Sequence, residues 1–262
     1  MKYALMILVA ISVVCLGDDN LSMREGGTSQ EGLILSYDFE TGVSDDLSPD
    51  ENDGTLVGGV TFVGESGTTS GYMDFNGSSG SITCSWALLT SKAFIVKDYT
   101  FSVWVKRERI GTLEYIWSYR DSTGNNNYNE ISQSINFQVD NTARVIHRYA
   151  TNAVGKLNLF LVISSQTVGL GEWVNFVMVH RNEESLQLYI NGEFEVEDTV
   201  MSNSGSNNDE FTGRVGALQL IMGTPRYYDG PIDEINIWQR AMSTNEIEQL
   251  YHYAKPRHYT ED

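Results

Sequence analysis

Cysteine, proline and basic charge are all scarce in this 262-residue chain, and each scarcity closes off a class of protein. The two cysteines are Cys15, in a leader-like segment, and Cys84, so no disulfide forms within the mature chain and a disulfide-stapled scaffold is excluded. Only 17 lysines and arginines stand against 35 acids, for a net charge of −18. A surface of that sign repels phosphate backbones and anionic lipids, which argues against nucleic acid and suits cation binding and solubility. The four histidines, His147, His180, His252 and His258, show no ligand spacing and give zinc no support. The sequence has no Gly-rich phosphate loop after a strand and no Gly-x-Ser-x-Gly elbow.

One apolar run occurs, Ala4 to Val14 behind Lys2, and it falls short of the roughly 20 residues a bilayer span needs. With Cys15 and Gly17 after it, residues 1–17 read as a secretory signal, so the protein is expected to be secreted or held at the cell surface. A lipid on Cys15 is the alternative, against which stands Val14, larger than that processing accepts. Residues 18–30 are polar and without period, a flexible tether.

Glycine is plentiful at 24 residues and aromatics make up 11%, a balance that favours strands and tight turns. About a dozen short segments rich in Val, Ile, Phe, Tyr and Trp alternate with Gly, Ser, Asn and Asp clusters, among them YTFSVWVK (99–106), EWVNFVMVH (172–180) and IDEINIW (232–238). This pattern predicts an all-β, two-sheet antiparallel sandwich. Asn191-Gly192, between SLQLYI and EFEVED, is a hairpin signal. Ser243 followed by Glu246 is a capping box for a short docked helix over 243–252. No repeat or linker divides the body, so one domain is expected over 31–255 with a tail at 256–262.

Asp233 interrupts this picture. Strict alternation places it on the face of Ile235 and Ile237, and an acid there needs a partner, since burying a carboxylate unpaired costs several kcal/mol. A buried arginine or backbone N–H donors at a strand end would serve.

The order LILSYDFETG (33–42), NDGTLVGG (52–59), MDFNGSSGSI (73–82), YTFSVWVK, GEWVNFVMVH (171–180), LQLYINGE (186–193) and GPIDEINIWQRAMSTNEIEQLY (230–251) resembles the laminin G-like domains of the concanavalin A-like lectin/glucanase superfamily. The resemblance implies a jelly roll of two curved sheets acting as a secreted or surface binding module. It further implies a structural Ca²⁺ that ties the last strand to the start of the domain. Carried to this chain, the ligands are Asp233, Asp38, and Asn52 or Asp53 of the ENDG turn, hard oxygen donors of the kind Ca²⁺ takes. Asn76 stands where relatives often have Asp, and there an ordinary turn is expected.

Some members of the same fold are glycosidases, which line their cleft with Glu-x-Asp-x-Glu; here Asn236 follows two residues after Glu234 and that arrangement is missing. Glu193, Glu195 and Glu197 do alternate, as an exposed charge row. A non-catalytic module binding carbohydrate is therefore expected, with an adhesive protein that self-associates or binds a protein partner as the alternative. Candidate contacts are Arg226, Tyr227 and Tyr228 before the final strand and Tyr128 in the loop NNNYNE, because sugar sites pair aromatic rings with polar side chains. Trp104 and Trp173 are expected to pack the core.

Overall fold

In a strand with period-two alternation the apolar side chains share a face, and two such faces exclude water by packing together. The computed structural model shows this arrangement over residues 30–64, 71–84, 97–121, 131–150, 157–182, 184–199, 211–218 and 224–258. The expected leader, nearly all of the tether and Tyr128 lie outside these described residues.

The strands are β1 (Leu33–Tyr37), β2 (Thr55–Val57), β3 (Val60–Val63), β4 (Tyr72–Asn76), β5 (Ser81–Cys84), β6 (Tyr99–Lys106), β7 (Glu114–Asp121), β8 (Ile131–Phe137) and β9 (Thr142–Ala150). They continue with β10 (Leu157–Thr167), β11 (Trp173–Arg181), β12 (Ser185–Ile190), β13 (Glu193–Asp198), β14 (Phe211–Val215), β15 (Ala217–Leu218), β16 (Arg226–Tyr227) and β17 (Asp229–Trp238), before a helix, α1 (Thr244–His258). An eight-stranded antiparallel sheet runs β13-β12-β11-β6-β17-β4-β3, with β1 also on β17. A seven-stranded sheet runs β10-β9-β8-β7-β14-β5-β2, and β15 and β16 form a small hairpin. Tyr37, Phe75, Phe101, Trp117, Ile135, Phe176 and Ile237 meet between the two large sheets as one core.

The expected hairpin forms between β12 and β13, with Asn191 at φ 53° and Gly192 at φ 79°, the left-handed pair a tight two-residue turn requires. The charge row beyond it has a use that alternation did not reveal. Glu195 accepts hydrogen bonds from the N–H and hydroxyl of Ser165, and Asp198 accepts one from the Leu161 N–H, so acids of β13 cover the free edge of β10.

The helix lies on the outer face of the eight-stranded sheet. The Ser243–Glu246 box is reciprocal: Glu246 Oε2 accepts from the Ser243 N–H at 2.7 Å, and Ser243 Oγ faces the Glu246 N–H at 3.4 Å. Ile247 and Leu250 pack on Val177, Val179, Tyr189 and Trp238, while Ala254 packs on Trp104 and Trp173. Trp104 and Trp173 are thus buried, but under the helix instead of between the sheets. The helix also passes the expected end at 252 and runs through Pro256 to His258.

Gly192 joins these parts, because a Cβ there would lie 2.9 Å from Tyr251 Cβ on the helix. Gly192→Ala is expected to lower stability by about 2 kcal/mol or more, from left-handed strain plus overpacking, as read by urea denaturation. An unchanged midpoint would mean the turn and helix are not in contact.

Candidate functional site

Strict alternation fails at one residue of β17. Glu234 has φ 47°, and the pairing of β17 with β6 shifts between Asp233 and Asn236, a bulge that inserts an extra residue. Ile232, Ile235 and Ile237 consequently all face the inter-sheet core, and Asp233 faces the other way, directly across from Trp104. Asp233 does not share the face of Ile235 and Ile237. It is nevertheless completely buried, because the C-terminal turns of the helix cover that face.

The partner of Asp233 is His258. Its Nε2 lies 3.0 Å from Asp233 Oδ2, and Oδ1 accepts the Glu234 N–H at 2.8 Å. The imidazole is held between Trp104, stacked at 4.2 Å between ring centroids, and the edge of Trp173 at 4.9 Å. His258 Nδ1 lies 3.0 Å from the Ala254 carbonyl, which can only accept, so Nδ1 carries hydrogen. The short Nε2–Oδ2 contact then holds one further proton, and the pair is neutral as a unit. Burial lowers the histidine's own affinity for that proton, while the nearby Glu234 charge raises it.

Arg257, the preceding residue, pairs with both Glu234 and Glu40. Two carboxylates against one guanidinium leave an excess negative charge in a buried site. Burial first, then the charge of Asp233, push the Glu234 carboxyl from 4.5 up to about 7, against the pull of Arg257. A proton taken up on folding stabilises the native state below the unfolded value, and the benefit is lost as pH rises through the folded one. Glu234→Gln removes that loss. Between about pH 4 and pH 7 the stability of the variant relative to wild type is expected to rise by on the order of 3 kcal/mol, measured by urea midpoints across the range.

The other residues implied as calcium ligands stand apart from Asp233. Among the described residues, Asp233, Glu234 and His258 form the group of three or more His, Cys, Asp or Glu with ligand atoms within 4.8 Å of one another, and neither Asp38 nor Asp53 belongs to it. Asp38 accepts the Glu40 N–H. The ENDG turn is organised around Asp46, which the sequence reading passed over. Asp46 accepts from the N–H groups of Ser36, Ser48 and Asn52 and from the Ser48 hydroxyl. Asp53 accepts the Asp46 N–H, the Asn52 amide donates to the Ile34 carbonyl, and Tyr37 donates to the Asn52 carbonyl. Backbone donors occupy the carboxylates of the turn, and a guanidinium and an imidazole occupy the acid of the last strand. This donor set does not fit one Ca²⁺ joining the two. Chelation is therefore expected to leave the thermal midpoint unchanged, and a midpoint that rises on adding Ca²⁺ would contradict this, since a ligand bound to the native state stabilises it.

The expected ligand contacts divide. Tyr228 is fully buried, packed on Phe75 and Phe137 with its hydroxyl donating to the Pro231 carbonyl, so it serves the core and presents nothing to a ligand. Arg226 is exposed and Tyr227 half-buried on the β15–β16 hairpin. This hairpin lies against the outer face of the seven-stranded sheet, where Ser118 donates to the Ala217 carbonyl at 2.6 Å. Arg109 fixes the hairpin's other strand by donating to the Tyr227 carbonyl at 2.9 Å, itself held by the buried Glu114.

The same outer face carries a polar row. On β8, Ser134 and Asn136 alternate with the core residues Ile135 and Phe137, and Asn136 donates to Ser134 while Gln138 donates to Asn136. Across from Asn136 on β9 stands Arg144, and across from Arg144 on β10 stands the half-exposed Ile163. Arg144 Nε is buried and has no hydrogen-bond partner among the described residues. A buried donor of this kind marks a place where a polar group is missing.

No curated protein matches the chain significantly. Several solved structures share its fold. The binding domain of Paraclostridial Mosquitocidal Protein 1 superposes with TM-score 0.63 at 18% identity, covering 85% of this chain and 52% of that one. A structure of botulinum neurotoxin type C, whose cell entry depends on interaction with two ganglioside molecules, gives 0.61 at 13% identity, covering 85% and 51%. The chain thus spans about half the length of these two toxin structures. Domain 4 of AbnA, a GH43 extracellular arabinanase from Geobacillus stearothermophilus in complex with arabinotriose, gives 0.56 at 17% identity, covering 84% and 98%. Residues 76–248, well over half of the sequence, match the Laminin_G_3 family, and the chain belongs to the concanavalin A-like lectin/glucanases superfamily.

Proposed function

We propose that this protein is a non-catalytic extracellular module that binds a glycan on the outer face of its seven-stranded sheet. The observation that carries the reading is the buried, unpartnered Nε of Arg144 beside the Ser134–Asn136–Gln138 row. Ser134 and Asn136 are themselves fully buried, so a sugar on this face would meet the row through the half-buried Arg144 and Gln138 side chains at its ends. Ile163 offers an apolar surface on one flank, and Arg226 and Tyr227 of the hairpin border the sheet from β7. The related domains support the same use, since one holds arabinotriose and another belongs to a toxin that depends on gangliosides.

The distribution of acids supports binding over hydrolysis. Glu195 and Asp198 are committed to backbone N–H groups of β10, and Asp233 and Glu234 are sealed beneath the helix. Neither pair can flank a glycosidic bond in solvent. The leader-like residues 1–17 accord with an extracellular location, and no helix among the described residues is long and apolar enough to cross a membrane.

A glycan array identifies the preferred sugar, and calorimetric titration with arabinotriose and with ganglioside oligosaccharides gives two defined starting probes. Arg144→Ala is expected to weaken binding about 10–100-fold, the loss of a charge-assisted hydrogen bond, with the thermal midpoint retained. Saturable binding unaffected by Arg144→Ala would move the site elsewhere, and an array without any hit would overturn the glycan reading.

A further inference from the structure

The strands of the two sheets differ in charge. Those of the eight-stranded sheet carry eight acids, four of them on β13 and three on β17, against Lys106 and Arg181. Those of the seven-stranded sheet carry two acids, Glu114 and Asp121, against four arginines, Arg120, Arg144, Arg148 and Arg214. Three neighbouring strands at its end, β8, β9 and β10, contain no acid at all. In a chain with 35 acids and 17 basic residues, positive charge is thus gathered on one sheet of a negative molecule.

Arg144 stands on the middle strand of these three, between Asn136 of β8 and Ile163 of β10. Every other buried or half-buried arginine side chain among the described residues has a partner. Arg107 and Arg109 are held by Glu114, Arg240 by Glu246, and Arg257 by Glu40 and Glu234. Arg181 donates to the Met242 carbonyl, and Arg214 donates to the Thr83 hydroxyl. Arg144 differs: its Nε is buried and unbonded, and no carboxylate pairs with its guanidinium among the described residues. Acids that border the three strands are already engaged, Asp140 by the N–H and hydroxyl of Thr142, Glu195 by Ser165 and Asp198 by the Leu161 N–H. A partly desolvated charge with neither counter-ion nor hydrogen bond lowers stability, so a ligand that supplies both has a place prepared for it.

Resting on the glycan reading above, we infer that the bound sugar carries a carboxylate and that Arg144 is its counter-ion. A neutral hydroxyl would satisfy one N–H and leave the charge uncompensated, whereas a carboxylate accepts from two N–H groups of the planar guanidinium and neutralises it. Gln138, at the end of the polar row, gives an amide N–H to Asn136 and keeps its Oε1 to accept from a hydroxyl of the same sugar. Ile163, 46% accessible, meets an apolar ring face or substituent. The net charge narrows the class further. At −18 the molecule repels a polyanion as a whole, while a single carboxylate on a single arginine pairs at contact range, well inside the screening length. The ligand is therefore a glycan with isolated acidic residues, a uronic or sialic acid, and not a densely sulfated polymer.

A glycan array that sets each carboxylated glycan beside its carboxyl-reduced or desialylated form, with heparin fragments as the sulfated arm, tests the assignment, and calorimetric titration of the hits gives affinities. The wild-type chain is expected to bind an acidic member at least about tenfold tighter than its neutral partner, with a preference that shrinks as salt rises. Arg144→Gln is expected to abolish that preference at a native thermal midpoint. The wild-type comparison alters only the ligand, so it holds whether or not the variant folds. Equal binding of acidic and neutral partners would overturn the carboxylate assignment and leave the glycan reading standing. An acid preference kept by folded Arg144→Gln, or heparin fragments bound tighter than any carboxylated glycan, would overturn it in the same way. An array without binding to any member, acidic or neutral, would overturn both readings.

Discussion

Two adjacent carboxylates, Asp233 and Glu234, are buried at a bulge in β17, and the end of α1 neutralises them. This contact closes the domain. The strand β17 carries β6 along one edge and β4 followed by β1 along the other, so most of the eight-stranded sheet is registered against it. A non-glycine residue in the left-handed region costs on the order of 1–3 kcal/mol, and removing one partner of a buried ion pair costs about 3–5 kcal/mol. The bulge is therefore stable only while Arg257 and His258 lie over it. The aromatic layer of Trp104, Trp173 and Tyr251 keeps the imidazole in plane and excludes the water that would otherwise compete for the acids.

Glu40 extends this dependence to the start of the domain. It pairs with Arg257 and also accepts the Gly71 N–H, so the loop after β1, the approach to β4 and the C-terminus share one polar cluster. The loop after β1 and the last strand are thus joined through the Arg257 guanidinium, while β1 itself pairs with β17 in the sheet. Acids elsewhere in the molecule follow a similar rule. Asp46 gathers the N–H groups of a whole turn, and Glu195 and Asp198 satisfy an edge strand. Much of the negative charge thus does local work on the backbone.

The strands, the Asn191-Gly192 hairpin and the Ser243–Glu246 cap were legible because each depends on local pattern and turn chemistry. The facing of Asp233 was not, since a single inserted residue at Glu234 inverts the phase of a period-two pattern and leaves no local mark beyond an unusual φ. The apolar stripe of the helix ended at 252, yet the long-range contacts of Arg257 and His258 accompany it through Pro256 to His258. His258 lacked any spacing relation to other ligand types because its partner lies 25 residues away on another element. Tyr228 read as a loop aromatic, but it turns into the core where burial keeps its phenol protonated. Arg144 gave no sequence signal at all, since what distinguishes it is a missing partner that only three-dimensional packing exposes.

Nitrogen-15 chemical shifts of the His258 ring, followed with pH and with Ca²⁺ added or chelated, test most directly whether this histidine takes the place of a cation. The account predicts an Nδ1–H held against a carbonyl, an Nε2 shift displaced from that of free histidine by the proton shared with Asp233, and no response to Ca²⁺. A ring that titrates like a solvent-exposed histidine, or whose signals move when Ca²⁺ binds, would contradict it.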